Sequence, residues 1–178
     1  YNKGDATVYN ARAEVRFKLG DLKGAVEDST TAIKMDPTDP QFFRLRAVAF
    51  TMLRRYKEAL KDYDKMLELN PEYAEGWFLR ANAKSSAGDH EGAISDLTAC
   101  LDLQPDFVSG YTDRGMAKAE LGRYEEAIAD FDKSLELDPE LAEDYYHRGL
   151  AKHRTGDEEG AKADYDKAVA LDSFFAKH

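Results

Sequence analysis

The stretch YTDRGMAKAELGRYEEAIADFDKSLELDP, residues Tyr111–Pro139, decides how this chain folds. Its apolar and small residues recur at spacings of three, four and seven, which is typical of amphipathic helices. Gly122 interrupts the pattern near the middle, and Asp138-Pro139 ends it. Glycine commonly ends a helix, and proline cannot continue one. The stretch therefore predicts two helices that fold back on each other around Gly122.

The same layout occurs five times in the 178 residues. The prolines that end it are 34 residues apart and are Pro37, Pro71, Pro105 and Pro139. An aromatic residue follows the same period as Tyr9, Phe43, Trp77, Tyr111 and Tyr145. A fixed period of this length is the signature of a repeat array. We expect one array with a leader at 1–5, a tail at 176–178, and repeats at 6–39, 40–73, 74–107, 108–141 and 142–175.

The turn between the two helices of a repeat is readable in most copies. Gly20, Gly88, Gly122 and Gly156 stand where a left-handed residue ends a helix. Asp21, Asp89 and Asp157 follow directly and are suited to cap the next helix. The second repeat has Arg54-Arg55 instead, so we expect its turn to be strained or closed differently.

Small residues recur where two helices must approach closely. With positions numbered 1 to 34 in each repeat, position 20 is always alanine: Ala25, Ala59, Ala93, Ala127 and Ala161. Position 8 is Ala13, Ala47, Ala81, Gly115 and Gly149. One helix pair cannot bury its apolar stripe alone, so neighbouring pairs are expected to stack and supply the stability.

The segments aromatic–x–x–Arg–small, Leu-Gly-x-Tyr, Ala-Ile-x-Asp-Phe and Leu-x-Leu-Asp-Pro resemble the tetratricopeptide repeat, and the resemblance covers residues 6–175. It implies an all-α fold, a right-handed α-solenoid of antiparallel helix pairs. It also implies that the first helices line a concave groove, and that the protein is a scaffold for peptides or other proteins.

The chain departs from the family pattern at its end. Ser173 replaces the last proline, and no polar capping helix follows before His178. We therefore expect the apolar stripe of the last helix to be partly uncovered, which promotes association. Phe174-Phe175 adds to this expectation, and a homo-oligomer formed through the chain ends is one predicted partner arrangement.

Composition excludes several classes of partner. The formal net charge of −10 and a pI near 4.9 argue against nucleic acid, which demands clustered Lys and Arg. No apolar run is long enough to span a membrane. The single cysteine, Cys100, excludes an internal disulfide and favours a reducing, cytoplasmic location. Because the chain opens with Tyr1, we expect it to be a fragment, and the compartment stays open.

One pattern differs from the commonest form of the family. Position 7 is always arginine and position 23 always aspartate. Both positions are eight residues from the turn, so they face each other across the helix pair. We expect a ladder of five Arg–Asp bridges that fixes helix register. Its pairs are Arg12 and Asp28, Arg46 and Asp62, Arg80 and Asp96, Arg114 and Asp130, and Arg148 and Asp164.

The groove implied by the resemblance offers aromatic, Met and Arg side chains, the types enriched at binding cores. Its predicted peptide-binding residues are Asn10, Phe17, Arg44, Met52, Phe78, Asn82, Thr112, Met116, Tyr146 and His153. Any one of them is equally open to a packing role between repeats. No frame carries the Lys and Asn set of the family's two-carboxylate clamp, so binding of chaperone tails is not predicted.

Catalytic and metal interpretations find little support. Asp144 and His147 have a carboxylate-x-x-His spacing, but a di-iron site needs a second such motif. Cys100 occupies a small core position and is expected to be a buried thiol. We expect no enzyme activity, no catalytic residue, no metal and no cofactor.

The sequence thus predicts a non-enzymatic scaffold that binds a peptide or short helix in the groove. The alternative is a structural unit that self-assembles through uncapped ends. A third possibility is that the array is the targeting arm of a longer enzyme. The sequence does not identify the partner or the biological process.

Overall fold

The computed structural model describes residues 3–177, and within them all regular structure is helical. The all-α prediction is confirmed. The elements are α1 Lys3–Lys18, α2 Leu22–Met35, α3 Pro40–Met52, α4 Tyr56–Leu69, α5 Ala74–Ser86, α6 His90–Leu103, α7 Val108–Glu120, α8 Tyr124–Leu137, α9 Ala142–Thr155, α10 Glu158–Leu171 and a final 3-10 helix, η1 Ser173–Lys177.

The helices group into two compact bodies, the first ending at Gly88 and the second beginning at Asp89. In the first body α1 packs on α2, α2 on α3, α3 on α4 and α4 on α5. In the second body α6 packs on α7, α7 on α8, α8 on α9 and α9 on α10. Each body is therefore a stack in which every helix contacts its neighbours in the chain.

The predicted helix caps are confirmed. Asp21 accepts a hydrogen bond from the Gly24 backbone N–H at 2.9 Å, and Asp89 and Asp157 cap α6 and α10 in the same way. A Cβ atom on Gly24 would lie 2.1 Å from an Asp21 carboxylate oxygen. Glycine three residues after the aspartate therefore makes room for the cap.

Two turns use a different pair of residues. In place of Asp followed by Gly, α4 is preceded by Arg55 and carries Glu58, and the two side chains bond at 2.8 Å. Arg123 and Glu126 repeat this arrangement at α8. An exposed ion pair thus stands where the other repeats have a side-chain cap, and it contributes little stability.

The second repeat closes its turn with a strained residue, as the sequence predicts. Arg54 has φ +58°, in the left-handed region that Gly20, Gly122 and Gly156 occupy elsewhere. The Arg55 backbone N–H still bonds to the Phe50 carbonyl at 2.9 Å, as Asp21 bonds to Arg16. The turn geometry is therefore the same, but the left-handed conformation is energetically unfavourable for Arg54 because arginine has a Cβ atom.

The core lies between the paired helices. The five alanines at position 20 are all buried, and so is the Cys100 thiol. A Cβ atom on Gly115 would lie 2.9 Å from the Phe131 ring, and one on Gly149 would lie 2.8 Å from the Tyr165 ring. Small residues at position 8 therefore let a large ring from the second helix fill the space between them.

Neighbouring repeats fit by complementary size. Phe42, at position 3, packs in a buried cluster with Ala32 at position 27 of the preceding repeat. In the next contact the sizes are reversed, because a Cβ atom on Gly76 would lie 2.7 Å from the Met66 methyl carbon. In both of these contacts a large residue meets a small one, which favours the native order of stacking.

The ends differ in part from the expected leader and tail. Helix α1 begins at Lys3, inside the predicted leader, and Asp5 in its first turn suits a helix N-terminus. Helix η1 reaches into the predicted tail. Tyr1, Asn2 and His178 lie outside the described residues. The last helix is partly uncovered, since Val169 is 36% exposed and Leu135, its equivalent in α8, is 7% exposed.

The strained turn gives a test of local backbone energetics. Arg54→Gly removes a left-handed penalty of about 1–2 kcal/mol, offset by glycine's greater freedom in the unfolded chain, about 0.5–1 kcal/mol. We expect a gain of about 1 kcal/mol in the free energy of unfolding, measured by urea denaturation. Arg54→Ala keeps the Cβ atom and is the control; a glycine variant no more stable than the alanine variant would contradict the account.

Candidate functional site

In four repeats the position 7 arginine donates two hydrogen bonds, from Nε and Nη2, to the position 23 carboxylate. Arg46 donates from Nε and Nη2 to the two Asp62 oxygens at 2.7 Å each. The same pair of bonds joins Arg12 to Asp28, Arg114 to Asp130 and Arg148 to Asp164, at 2.6 to 2.9 Å. The aspartates are buried, so each carboxylate depends on its arginine for charge compensation. Arg80 and Asp96 belong to different bodies, and their pairing stays a prediction.

A second cation, from position 11, reaches the same carboxylate in three repeats. Lys118 lies 2.7 Å from Asp130, Lys152 lies 2.8 Å from Asp164, and Arg16 lies 3.1 Å from Asp28. The second repeat has Phe50 at this position, and its ring lies under the Arg46 guanidinium. This contribution was not predicted, although a basic residue stands four positions after Arg12, Arg114 and Arg148 in the sequence.

The remaining nitrogen of the fork joins one repeat to the one before it. Arg46 Nη1 donates to Thr30 Oγ1 at 3.0 Å, and Arg114 Nη1 donates to Thr98 Oγ1 at 3.2 Å. Arg80 and Arg148 reach Asp64 and Asp132 in the same way, at 2.7 and 2.6 Å. All four acceptors stand at position 25 of the preceding repeat. The arginine therefore ties together a helix pair and its neighbour.

The position 4 aromatic ring covers the guanidinium in four repeats. The ring centroid lies 4.8 to 5.6 Å from the arginine Cζ for Tyr9, Trp77, Tyr111 and Tyr145. Such a ring favours the cation and shields it from water. The recurring aromatic residue thus serves the arginine as well as the core.

Two of the paired aspartates have lowered pKa values. The hydrogen bond from Arg12 holds the pKa of Asp28 below its ordinary value. At Asp164 burial favours the neutral acid, but the hydrogen bonds from Arg148 and Lys152 outweigh it, so the pKa is lowered. The same bond to Asp164 raises the pKa of Arg148. Both partners therefore stay charged at neutral pH.

The first helices of the first body form a cleft, which we call cleft one. It lies between α1 and α3, has a volume of about 330 Å³, and includes the predicted groove residues Phe17 and Arg44. Its lining is Glu14, Phe17, Lys18, Arg44, Leu45 and Val48. Arg44 Nε donates to Gln41 Oε1 at 2.7 Å, and this bond holds the Arg44 guanidinium in place. The lining of cleft one combines apolar side chains with charges of both signs.

The second body has a corresponding cleft, cleft two, of about 380 Å³. Residues of α7 and α9 line it, together with Tyr124 and Phe131 of α8. Its lining is Met116, Ala119, Glu120, Tyr124, Phe131, His147, Leu150, Ala151 and Arg154. Met116 was predicted from the groove pattern. Phe131 and His147 were not, because their ring contact, at 6.1 Å between centroids, joins two repeats.

Other predicted groove residues have their side chains engaged nearby or lie apart from both clefts. Asn10 donates to Glu14 at 3.2 Å, and His153 Nδ1 lies 3.0 Å from Glu158. Met52 is 60% exposed at the end of α3 and lines neither cleft. Phe78 and Asn82 lie half-buried on α5. A groove role for these residues stays a prediction.

Thr112 belongs to a buried polar cluster. Its hydroxyl donates to Asp144 at 2.7 Å, and Ser134 donates to the same carboxylate oxygen. Asp144 stands at position 3, where Gly76 and Gly110 occupy other repeats. The cluster fastens α9 to α7 and α8, so the Thr112 hydroxyl acts within the body. A carboxylate at a position that is uncharged in the other four repeats was the available sequence signal.

Tyr146 lies in an aromatic cluster at the end of the second body. Its ring centroid is 5.1 Å from that of Phe175 in η1 and 5.8 Å from that of Tyr165. His147 adds an edge contact at 5.7 Å. Helix η1 therefore contacts the Tyr146 ring, which was predicted to bind a ligand.

The part of the chain that the structure describes has neither a membrane-spanning helix nor a group of metal ligands. None of the helices within residues 3–177 is both long and apolar enough to cross a membrane. Across that same range no three His, Cys, Asp or Glu side chains are arranged to hold a metal ion.

A double-mutant cycle on Arg46 and Asp62 tests whether the pair is energetically coupled. Removing one partner as Arg46→Leu or Asp62→Leu strands the other charge and should cost about 3–5 kcal/mol of unfolding free energy. The double variant should cost clearly less than the sum, because no buried charge is left unpaired. The exposed pair Lys65 and Glu68, 2.7 Å apart, is the matched control, and each single change there should cost under about 1 kcal/mol. Additive losses at Arg46 and Asp62 would refute coupling.

The lowered pKa of Asp164 predicts the direction of a pH effect. Its contribution is complete above the unfolded aspartate pKa of about 3.9, and it is lost as pH falls through the lower folded value. We expect Asp164→Asn to be less stable at neutral pH and to lose less of its remaining stability on acidification. Urea denaturation in steps of falling pH measures this, with exposed Glu159→Gln as the control. An acid limb as steep as that of the unchanged chain would contradict it.

Family models match the chain in separate segments. The tetratricopeptide repeat matches residues 40–73 and, through a second profile, residues 6–39, 74–107 and 142–175. A TPR repeat profile matches residues 115–156. The profile that matches three segments alone spans more than half of the chain. No curated protein sequence matches the chain.

Solved structures share the fold at low sequence identity. MamA residues 41 to the end, from Desulfovibrio magneticus RS-1, has 21% identity and a TM-score of 0.90, with 97% of each chain covered. YrrB, described as a TPR protein with an unusual peptide-binding site, has 23% identity and a TM-score of 0.84, covering 99% of this chain and 92% of its own. The chain belongs to the tetratricopeptide repeat family.

Proposed function

We propose that this protein is a non-enzymatic scaffold that binds a peptide or short helix across the exposed faces of its first helices. The observation that carries the proposal is the repetition of one cleft. Positions 9, 12 and 13 of one first helix and positions 6 and 9 of the next line both clefts. Equivalent positions thus form a recess of similar volume twice, in the first two repeats and in the last two.

The side chains at these positions vary although the backbone positions do not. Cleft one has Phe17 and Val48 where cleft two has Ala119 and Leu150. Residues that hold the repeats together, such as the arginine at position 7, are invariant within the chain. The residues that line the clefts vary, whereas the residues that hold the repeats together are constant. This pattern fits a scaffold in which different residues serve ligand binding and stability.

The chemistry of the clefts suits a peptide with spaced apolar side chains. Leu45 and Val48 in cleft one, and Phe131 and Ala151 in cleft two, supply apolar walls. Charged groups of both signs stand at each rim, among them Glu14 and Arg44 in the first. Apolar centres with polar rims are the usual anatomy of protein interfaces. The peptide-binding site reported for YrrB supports the same use of a shared fold.

Selection from a displayed peptide library tests the proposal. The unchanged chain should enrich peptides that bind it, and a variant with Met116→Asp and Leu150→Asp should bind them at least about tenfold more weakly. Both residues are more than one-third exposed, so the fold should tolerate the change. Leu103→Asp with Leu137→Asp, which are similarly exposed on second helices, is the matched control.

The readout also locates the ligand. In backbone amide NMR spectra the selected peptide should shift resonances at the positions that line the clefts, and circular dichroism should show unchanged helicity in both variants. Peptides that bind the Met116→Asp, Leu150→Asp variant as tightly as the unchanged chain would rule out cleft two. Failure to enrich any peptide would refute the proposed function.

A further inference from the structure

We propose that a recess between α2 and the turn leading into α4 binds a glutamate or aspartate side chain of a partner protein, together with an apolar side chain next to it. This α2–α4 recess has a volume of about 450 Å³. Its lining is Lys23, Val26, Glu27, Leu53 and Arg55. None of these residues lines cleft one, so the site is separate from the proposed peptide clefts.

The second body shows what the equivalent positions do when a carboxylate is present. Arg55 and Lys23 stand at positions 16 and 18 of their repeats, where the second body has Arg123 and Glu91. Arg123 Nη1 donates to a Glu91 carboxylate oxygen at 3.2 Å. The other two nitrogens of that guanidinium, Nε and Nη2, donate to Glu126 at 2.8 Å each. A carboxylate thus joins two successive repeats at this place.

The first body lacks this carboxylate. Arg55 Nε and Nη2 both lie 2.8 Å from Glu58 Oε1, and the Phe50 ring centroid lies 4.5 Å from the arginine Cζ. Arg55 Nη1, which corresponds to the nitrogen that binds Glu91 in the second body, has no acceptor within residues 3–177. Lys23 is exposed and forms no ion pair in that range. A fixed donor and a second cation therefore line the recess without a carboxylate to bind them.

The charges of the recess favour one carboxylate over a phosphate group. Glu27 lines the recess and Glu58 pairs with Arg55, so the two cations are already offset by two acids. In the second body the position of Glu27 is the neutral Ser95. One added carboxylate would therefore give the recess the same net charge as the ion pairs around Arg123. A phosphate group carries more negative charge and would exceed it.

The apolar part of the lining favours a protein segment over a small anion. Val26 and Leu53 are half-buried and line the recess beside the two cations. A free carboxylate ion would leave these side chains in contact with water. A peptide brings an apolar neighbour that buries them, and the burial adds to the attraction between charges. The occupant is therefore an acidic residue within a partner chain.

Selection from a displayed peptide library, with affinities measured by isothermal titration calorimetry, tests this site. Lys23→Glu places a carboxylate where the second body has Glu91, so Arg55 should bind it and close the recess. Peptides that bind the recess should contain glutamate or aspartate and bind this variant at least about tenfold more weakly, because a charge-assisted hydrogen bond is lost. Lys61→Glu makes the same charge change on an exposed residue of α4 outside the recess and should bind them like the unchanged chain.

Two further changes identify the interacting groups. Glutamine in place of the peptide's acidic residue should weaken binding to the unchanged chain but not to the Lys23→Glu variant, and phosphoserine there should bind less tightly than glutamate. Adding Glu91→Lys and Ser95→Glu to the Lys23→Glu variant reproduces the charges of the recess in the second body. Binding should then return, and the backbone amide NMR shifts caused by the peptide should move from α2 to α6.

Four results would overturn the proposal. They are selected peptides that all bind the Lys23→Glu variant as tightly as the unchanged chain, no effect of glutamine in the peptide, tighter binding of phosphoserine, and no recovery in the second body. Peptides that are weakened by Met116→Asp and Leu150→Asp, but never by Lys23→Glu, would refute this site and leave the cleft function standing.

Discussion

The structure depends on one guanidinium group repeated at position 7. Its Nε and Nη2 bind a buried carboxylate of its own helix pair, and its Nη1 reaches the helix pair before it. An aromatic ring covers the cation in most repeats. A carboxylate buried beside apolar residues is tolerated only with such compensation. This one guanidinium therefore fixes both the packing of the paired helices and the register between successive pairs.

This frame leaves other positions available for recognition. The arginine, the position 20 alanine and the size match between Phe42 and Ala32 secure one side of each first helix. Positions 9, 12 and 13 are not needed for that packing, and they line both clefts. The residues that line the clefts can therefore differ between repeats while the arginine maintains the stability of the fold. The arginine at position 7 and the alanine at position 20 are constant across the five repeats, whereas the residues that line the clefts are not.

Much of the fold could be predicted because its signals are local and periodic. Pro37 and its successors give the repeat length, Asp21 after Gly20 gives a turn, and counting from that turn places Arg46 opposite Asp62. The rest depends on which helices become neighbours. The bond from Arg46 to Thr30 joins two repeats, so the spacing within one repeat carries no sign of it. The bond from Thr112 to Asp144 also joins two repeats, and the contact of Tyr146 with Phe175 depends on how η1 folds back onto α9. A ligand contact at Thr112 or Tyr146 stays a prediction.

The most direct test of the arginine's central place is amide hydrogen exchange in an Arg114→Lys variant. Lysine keeps the charge but loses the planar fork, so it cannot hold Asp130 with two bonds and reach Thr98 as well. The account predicts lower protection in α7 and α8 and also in α6, the helix of the preceding repeat that carries Thr98. Loss of protection confined to α7 and α8, with α6 unchanged, would show that the arginine does not couple neighbouring repeats and would contradict the account.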